Sequence, residues 1–206
     1  MREMEGKHLI FLGSSVTYGS ASGGVSFADF ISRRNGCAIT KEAVSGTTLV
    51  DEGEDSYISR LKKLDKSIPA DLFICQLSTN DATQGKPLGM LSDSKEYNTK
   101  TVAGAILYII SYVKKVWGCP VVFYTNPRYE SPEYEKMVSL LLEIKRNYDI
   151  TVIDMWNDTA FNAITAEQRQ RYMADPIHPT REGYLDWWTP YMEAKLIECV
   201  GDTYES

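Results

Sequence analysis

Two adjacent serines, Ser14 and Ser15, follow an apolar run that stops at Gly13, and a histidine, His178, lies three residues after Asp175. A serine hydroxyl is a weak nucleophile near neutral pH. It needs a base within hydrogen-bond reach and donors for the oxyanion it creates. The chain holds two histidines. His8 begins the first apolar run, the wrong end of a strand from which to serve a residue that follows it, and reads as a core or surface histidine. His178 stands in Asp175-Pro176-Ile177-His178-Pro179-Thr180, a loop stiffened by two prolines. In a tight turn this spacing brings a carboxylate against Nδ1 of the imidazole, fixing the tautomer while Nε2 takes a proton. Each string alone is weak. Gly-Ser at a strand end also makes a helix N-cap or an anion-binding turn, and DxxH also describes a loop histidine beside a capping aspartate. A GxSxG elbow is excluded, because Thr17 occupies its last position.

The elements that must position these residues read as alternating strands and helices. Short apolar runs at Leu9–Leu12, Leu72–Leu77, Val121–Tyr124 and Thr151–Ile153, with a weaker one at Ala38–Ala43, are continuous rather than alternating, as strands buried on both faces are. Helical patterns fill the intervals at Phe27–Asn35, about Tyr57–Leu64, Glu96–Trp117 and Glu133–Tyr148, with a last one from about Arg181 to Cys199. That order predicts an α/β fold, a parallel sheet with helices on both faces, and ligands bound beyond the carboxyl ends of its strands. Gly13-Ser14-Ser15, Val44-Ser45-Gly46-Thr47-Thr48, Ser78-Thr79-Asn80-Asp81 and Thr125-Asn126-Pro127-Arg128 follow four of those runs, and all four ends are rich in polar, small or hydroxyl-bearing residues. Asp81 reads as tying its turn to nearby backbone amides, and Asp51 and Asp154 as turn or cap residues. Ala82–Ser94 is a long irregular stretch, either a lid or a plain connection.

Taken together, Gly13-x-Ser15-x-Thr17-x-Gly19, Gly46, Asn80-Asp81 and Asp175-x-x-His178-Pro179 occur in the order of the four blocks of the SGNH, or GDSL-type, hydrolases, and over nearly the whole chain the sequence resembles that family. The resemblance implies a three-layer α/β/α sandwich with a central parallel sheet of about five strands. It implies Ser15 as nucleophile, His178 as general base oriented by Asp175, and an oxyanion hole of the Ser15 and Gly46 backbone N–H groups with the Asn80 side chain. No metal or organic cofactor is implied. Two positions depart from the pattern: Ser14 stands where the family has aspartate, and Ser78 where it has glycine.

The chain of 206 residues, 43% hydrophobic and 24% charged, is read as one domain spanning 1–206. A formal net charge of −6, with cations only in pairs such as Lys62-Lys63, argues against nucleic acid or an anionic membrane surface. The polar start and the short first apolar run look like neither a signal peptide nor a membrane span. Four dispersed cysteines without a CxxC pair suggest buried thiols and a cytoplasmic location. Around the expected site, Tyr18, Tyr124 and Arg128 are candidates for substrate contact, although Arg128 could equally pair with Glu130 or Glu133. Of Trp187 and Trp188, one is expected in the core and one near the surface. The expected activity is hydrolysis of small carboxylic esters, short-chain or acetyl, on a sugar or another small alcohol. A thioesterase or lysophospholipase, an acyltransferase to a sugar hydroxyl, and a non-catalytic small-ligand or anion-binding module are the alternatives. Nothing in the sequence sets the oligomeric state, and a homo-oligomer stays open.

Overall fold

Residues 3–91 and 97–201 are described by a computed structural model. Five strands form one parallel sheet: β1 (His8–Gly13), β2 (Ala38–Ala43), β3 (Leu72–Gln76), β4 (Val121–Tyr124) and β5 (Thr151–Ile153). Their order across the sheet is β2-β1-β3-β4-β5. The central strands β1, β3 and β4 are buried almost throughout, which is why their sequences are continuous apolar runs, whereas β2 at one edge is half-buried and carries Lys41 and Glu42. The weaker signal of β2 is therefore the signature of an edge.

Side chains alternate between two helical layers, as the strand repeat of two requires. Ile10, Leu12, Phe73, Cys75, Val121 and Phe123 face one layer, formed by α3 (Tyr57–Lys63), α5 (Val102–Val116) and α6 (Pro132–Asn147). Leu9, Phe11, Leu72, Ile74, Val122 and Tyr124 face the other, formed by α2 (Phe27–Asn35) and α9 (Thr189–Gly201). The expected three-layer α/β/α sandwich is the observed fold. Local signals explain several helix starts. Ser26 and Asp29 form a capping box for α2, and Ser131 caps α6 ahead of Pro132 at its first position.

The boundaries differ from expectation in three places. The helix read from Glu96 begins at Val102, where the Thr101 side chain accepts from Gly104 N–H; position 96 lies outside the described residues. The stretch read as Ala82–Ser94 starts inside a short helix, α4 (Thr79–Thr83), and its last part lies outside the described residues. The final helix is interrupted at its start by a widened, π-helical turn, Gly183–Trp188. Trp187 and Trp188 are both buried there, contrary to the reading that one faces outward. Trp188 packs on Phe27 and Tyr124, while Trp187 stacks on Phe161 and Tyr172, which lie in two short helices the sequence did not signal, α7 (Thr159–Asn162) and α8 (Ala166–Tyr172). Those helices cover the face that would otherwise meet solvent.

The chain leaves β1 toward one edge, then returns to place β3 on the other side of β1. Between β1 and β3 the direction of winding reverses, and the loops after these strands diverge to open a crevice at their carboxyl ends. No described helix is long and apolar enough to cross a membrane.

Candidate active site

At that crevice β1 ends at Gly13, Ser14 stands just before a one-turn helix, α1 (Ser15–Tyr18), without a side-chain cap bond, and Ser15 is the first helical residue. Glycine is required at 13 by close approach: a Cβ there would lie 1.7 Å from Thr17 Oγ1. Ser15 Oγ is 2.8 Å from His178 Nε2, and His178 Nδ1 is 2.7 Å from Asp175 Oδ2. Two residues 163 positions apart in sequence are thus joined, and the carboxylate sits on the far side of the ring.

Asp175 does more than face the imidazole. Its Oδ1 accepts from the backbone N–H groups of Ile177 and His178, at 2.7 and 2.8 Å, which closes the turn that presents the ring. Partial burial pushes the Asp175 carboxyl up, but the hydrogen bonds it accepts from Ile177 and His178 outweigh that and hold the group below its ordinary value. It therefore stays ionised and keeps Nδ1 protonated, leaving the Nε2 lone pair toward Ser15. The loop is clasped from outside by a bridge between Met173 and Pro179 and by Asn126, whose Nδ2 donates to the Ile177 carbonyl at 3.0 Å. Asn126 was legible only as part of a polar strand end; its partner lies 51 residues away.

A buried carboxamide holds the turn that carries Ser15. Gln76, the last residue of β3, accepts at Oε1 from Ser14 N–H (2.9 Å), Ser14 Oγ (3.3 Å), Thr17 N–H (3.3 Å) and Thr17 Oγ1 (2.8 Å). The backbone N–H groups can only donate, so the carboxamide orientation is fixed. Ser14, at the family's aspartate position, is therefore a buried residue bonded to Gln76. Sequence reasoning missed Gln76, since a glutamine ending an apolar strand carries no motif.

On the other side of the crevice, Asn80 Nδ2 donates to the Thr47 carbonyl at 2.9 Å, and Ser78 Oγ reaches the same oxygen at 3.2 Å. The Asn80 side chain is thereby fastened to the loop that carries Gly46, with one N–H of its amide left to serve another acceptor. Gly46 has φ +81°, a left-handed conformation that favours glycine, and open space where a Cβ would stand. Ser78 has φ −66°, so a side chain at the family's glycine position costs nothing in backbone conformation; its hydroxyl instead caps α4. Asp81 ties the turn down as expected, accepting from the N–H groups of Leu49 and Val50 at 2.7 and 3.0 Å. Burial pushes its carboxyl up in spite of those bonds.

The sequence profile of the GDSL-like lipase/acylhydrolase family matches residues 11–185. The chain belongs to that family. Its fold recurs in solved structures at low sequence identity. A protein from Lactobacillus plantarum aligns over 96% of this chain and 98% of its own, with TM-score 0.75 and 18% identity. A Bacteroides ovatus protein assigned to the GDSL-like lipases aligns over 94% and 99%, with TM-score 0.69 and 17% identity. A family two carbohydrate esterase from Clostridium thermocellum, solved with cellohexaose, aligns over 95% of this chain and 65% of its own, with TM-score 0.66 and 16% identity. A sequence search of curated proteins found no match.

Family membership makes this a hydrolase of the ester-cleaving type, and the remaining expected contacts of the GDSL-like site divide. Tyr18 lies at the rim, 44% exposed, with its ring against Gly24 and Lys41 Nζ 5.8 Å from the ring centre. Tyr124 is not a substrate contact: it is fully buried, its hydroxyl is 2.6 Å from Thr17 Oγ1, and burial pushes its phenol well above the ordinary range. It sits at the last position of a central strand and faces the α2/α9 layer, so it supports α1 from below. Arg128 is exposed, but it rests over Trp156 and pairs with Glu135 rather than Glu130 or Glu133. Beside Asp175 and Pro176 opens a cleft of about 470 Å³ walled by Tyr129, Glu130, Arg169 and Met173. Among the described residues no cluster of His, Cys, Asp and Glu could hold a metal ion.

Proposed function

We propose that the protein is a serine esterase that deacylates small carboxylic esters, short-chain or acetyl, carried on a sugar or a comparable small alcohol. The observation that carries this reading is the unbroken line Asp175–His178–Ser15, with both hydrogen bonds within 2.8 Å. Ser15 Oγ attacks the ester carbonyl carbon as its proton passes to His178 Nε2. The carbonyl electron pair moves onto oxygen, and the N–H groups of Ser15, Gly46 and Asn80 Nδ2 receive the oxyanion. Its collapse breaks the bond to the alcohol, which leaves with the proton from His178. Water then gives a proton to His178 as its oxygen attacks the acyl-enzyme carbonyl, and collapse of this second intermediate breaks the bond to Ser15 Oγ, which takes the proton back from His178 as the acid leaves.

The cleft beside Asp175 has a mostly apolar wall, with Ala166, Met173 and Pro176, and offers an alcohol portion polar contacts at Glu130, Arg169 and Gln170. The carbohydrate esterase solved with cellohexaose lends the sugar ester further support. The test is labelling with a serine-directed fluorophosphonate alongside hydrolysis of p-nitrophenyl acetate and acetylated sugars. Wild type and Ser14→Ala should label and turn over, and Ser15→Ala and His178→Ala should do neither. A wild type that neither labels nor hydrolyses any of these esters would leave a small-ligand binding module as the reading. Faster ester consumption on adding free sugar acceptors would favour acyl transfer.

A further inference from the structure

Beneath the crevice, on α3, lies an arginine that no motif singles out. Arg60 is 5% exposed, and its five guanidinium N–H groups meet five acceptors. Nε donates to the Asp55 carbonyl (2.9 Å), Nη1 to the Glu42 carbonyl (2.9 Å) and Glu42 Oε1 (3.3 Å), and Nη2 to the Gly13 carbonyl (2.8 Å) and Thr47 Oγ1 (3.0 Å). The guanidinium also lies over the ring of the buried Tyr57, 5.2 Å from its centre. A buried arginine whose acidic partner among the described residues is one partly exposed carboxylate is costly, unless the bonds it makes are needed.

The two Nη2 bonds reach the end of the β1 strand and the Gly46–Thr47 loop at once. Gly13 is two residues before Ser15, and Thr47 directly follows Gly46. Thr47 is itself a junction: its hydroxyl donates to the Val44 carbonyl at 2.7 Å while accepting from Arg60, and its carbonyl receives Asn80 Nδ2. We propose that Arg60 is a positioning residue of the esterase, a rigid fork that fixes the Gly46–Thr47 loop and its bonded Asn80 against the end of the nucleophile strand, so that the oxyanion donors converge. This rests on the esterase reading above. A lysine cannot replace it, because three rotatable donors on one nitrogen cannot span acceptors on four segments.

The tests are Arg60→Lys, which keeps the charge, Thr47→Val, which keeps the shape but removes the acceptor, and Thr47→Ser, which restores it. Removing a direct oxyanion donor costs about 10²–10³ in kcat, so an indirect one should cost about tenfold for Thr47→Val and somewhat more for Arg60→Lys. KM for p-nitrophenyl acetate should stay within about twofold, because the ground state makes little use of the oxyanion donors. Thr47→Ser should match wild type. The double variant Arg60→Lys/Thr47→Val should lose no more than Arg60→Lys alone, since both remove the same link. Amide exchange at Gly46 and Thr47 should quicken in Thr47→Val, a readout independent of turnover. Wild-type kcat in Thr47→Val, losses confined to KM, or losses that multiply in the double variant would overturn the proposal. Should Arg60→Lys fail to fold, the Thr47→Val and Thr47→Ser pair decides alone. Fluorophosphonate labelling of wild type separates the two levels: an unlabelled wild type overturns both readings, and a Thr47→Val variant labelled as fast as a reactive wild type overturns only this one.

Discussion

The two halves of the site are held by different physics. On the Ser15 side, Ser14, Gln76, Thr17, Asp81 and Arg60 are all buried, and they bond backbone to buried side chains across β1, β3 and the loops after β2 and β3. On the His178 side, His178 and Asp175 sit on a loop whose side chains are 25% and 48% exposed, closed by its own Asp turn and clasped by Asn126. A buried network has no water to replace a lost partner, so each deletion leaves an orphan. A rim loop can be partly rescued by solvent. The Ser15 half should therefore fail through stability and precision together, and the His178 half through chemistry alone.

The largest expected effect lies where the halves meet. Ser15→Ala and His178→Ala should each lower kcat by about 10⁴ or more, and the double variant should be no worse than either, because the pair acts as one unit. Steady-state hydrolysis and thermal unfolding of the three would check this, with unfolding changed little. Asp175→Asn comes next. It removes the carboxylate that keeps Nδ1 protonated, and a loss of about 10²–10³ in kcat is expected, short of the roughly 10⁴ seen for a buried aspartate because water can stand in at the rim.

Paired deletions of the two supporting carboxamides sharpen the contrast. Gln76→Met strands the N–H groups of Ser14 and Thr17 in the interior, so denaturant unfolding should show a loss of about 2–4 kcal/mol alongside impaired turnover. Asn126→Ala frees only the Ile177 carbonyl at the loop, and about tenfold in kcat with no more than about 1 kcal/mol of stability is expected. Equal destabilisation by both would break the comparison.

The smallest effects are in pH, and they differ in sign. The Asp175 carboxyl is held below its ordinary value, so its contribution to stability is complete above about pH 4 and fades as pH falls through the lower folded value. The Asp81 carboxyl is raised by burial, so stability fades as pH rises from about 4 toward its higher folded value. Urea midpoints measured from pH 3 to 7 should lose the first dependence in Asp175→Asn and the second in Asp81→Asn.

Much of this was legible in the residues. Continuous apolar runs marked β1, β3, β4 and β5, because burial leaves a direct imprint on composition, whereas the half-buried edge strand β2 left only a weaker one. Ser15, Gly46, Asn80, Asp175 and His178 were legible because each belongs to a short local pattern. Gln76, Asn126 and Arg60 were not, since a supporting side chain is defined by partners tens of residues away and leaves no local pattern. The same holds for Tyr124: proximity to a strand end suggested a substrate contact, but the pleat turned its ring into the α2/α9 layer, where α2 and the π-helical turn cover it. The covering of Trp187 by α7 and α8 is a further case.

The sequence by itself determined the layers of the sheet, the order of the motif blocks and the turn in which Asp175 folds back on His178, since that turn closes within four residues. Only the tertiary structure decided that His178 reaches Ser15 across 163 positions, that Ser14 answers to Gln76, and that Arg60 reaches both the nucleophile strand and the Gly46 loop. Hydrogen-bond geometry is set to tenths of an ångström by packing of the whole core, whereas local propensity reaches only the next turn of the chain.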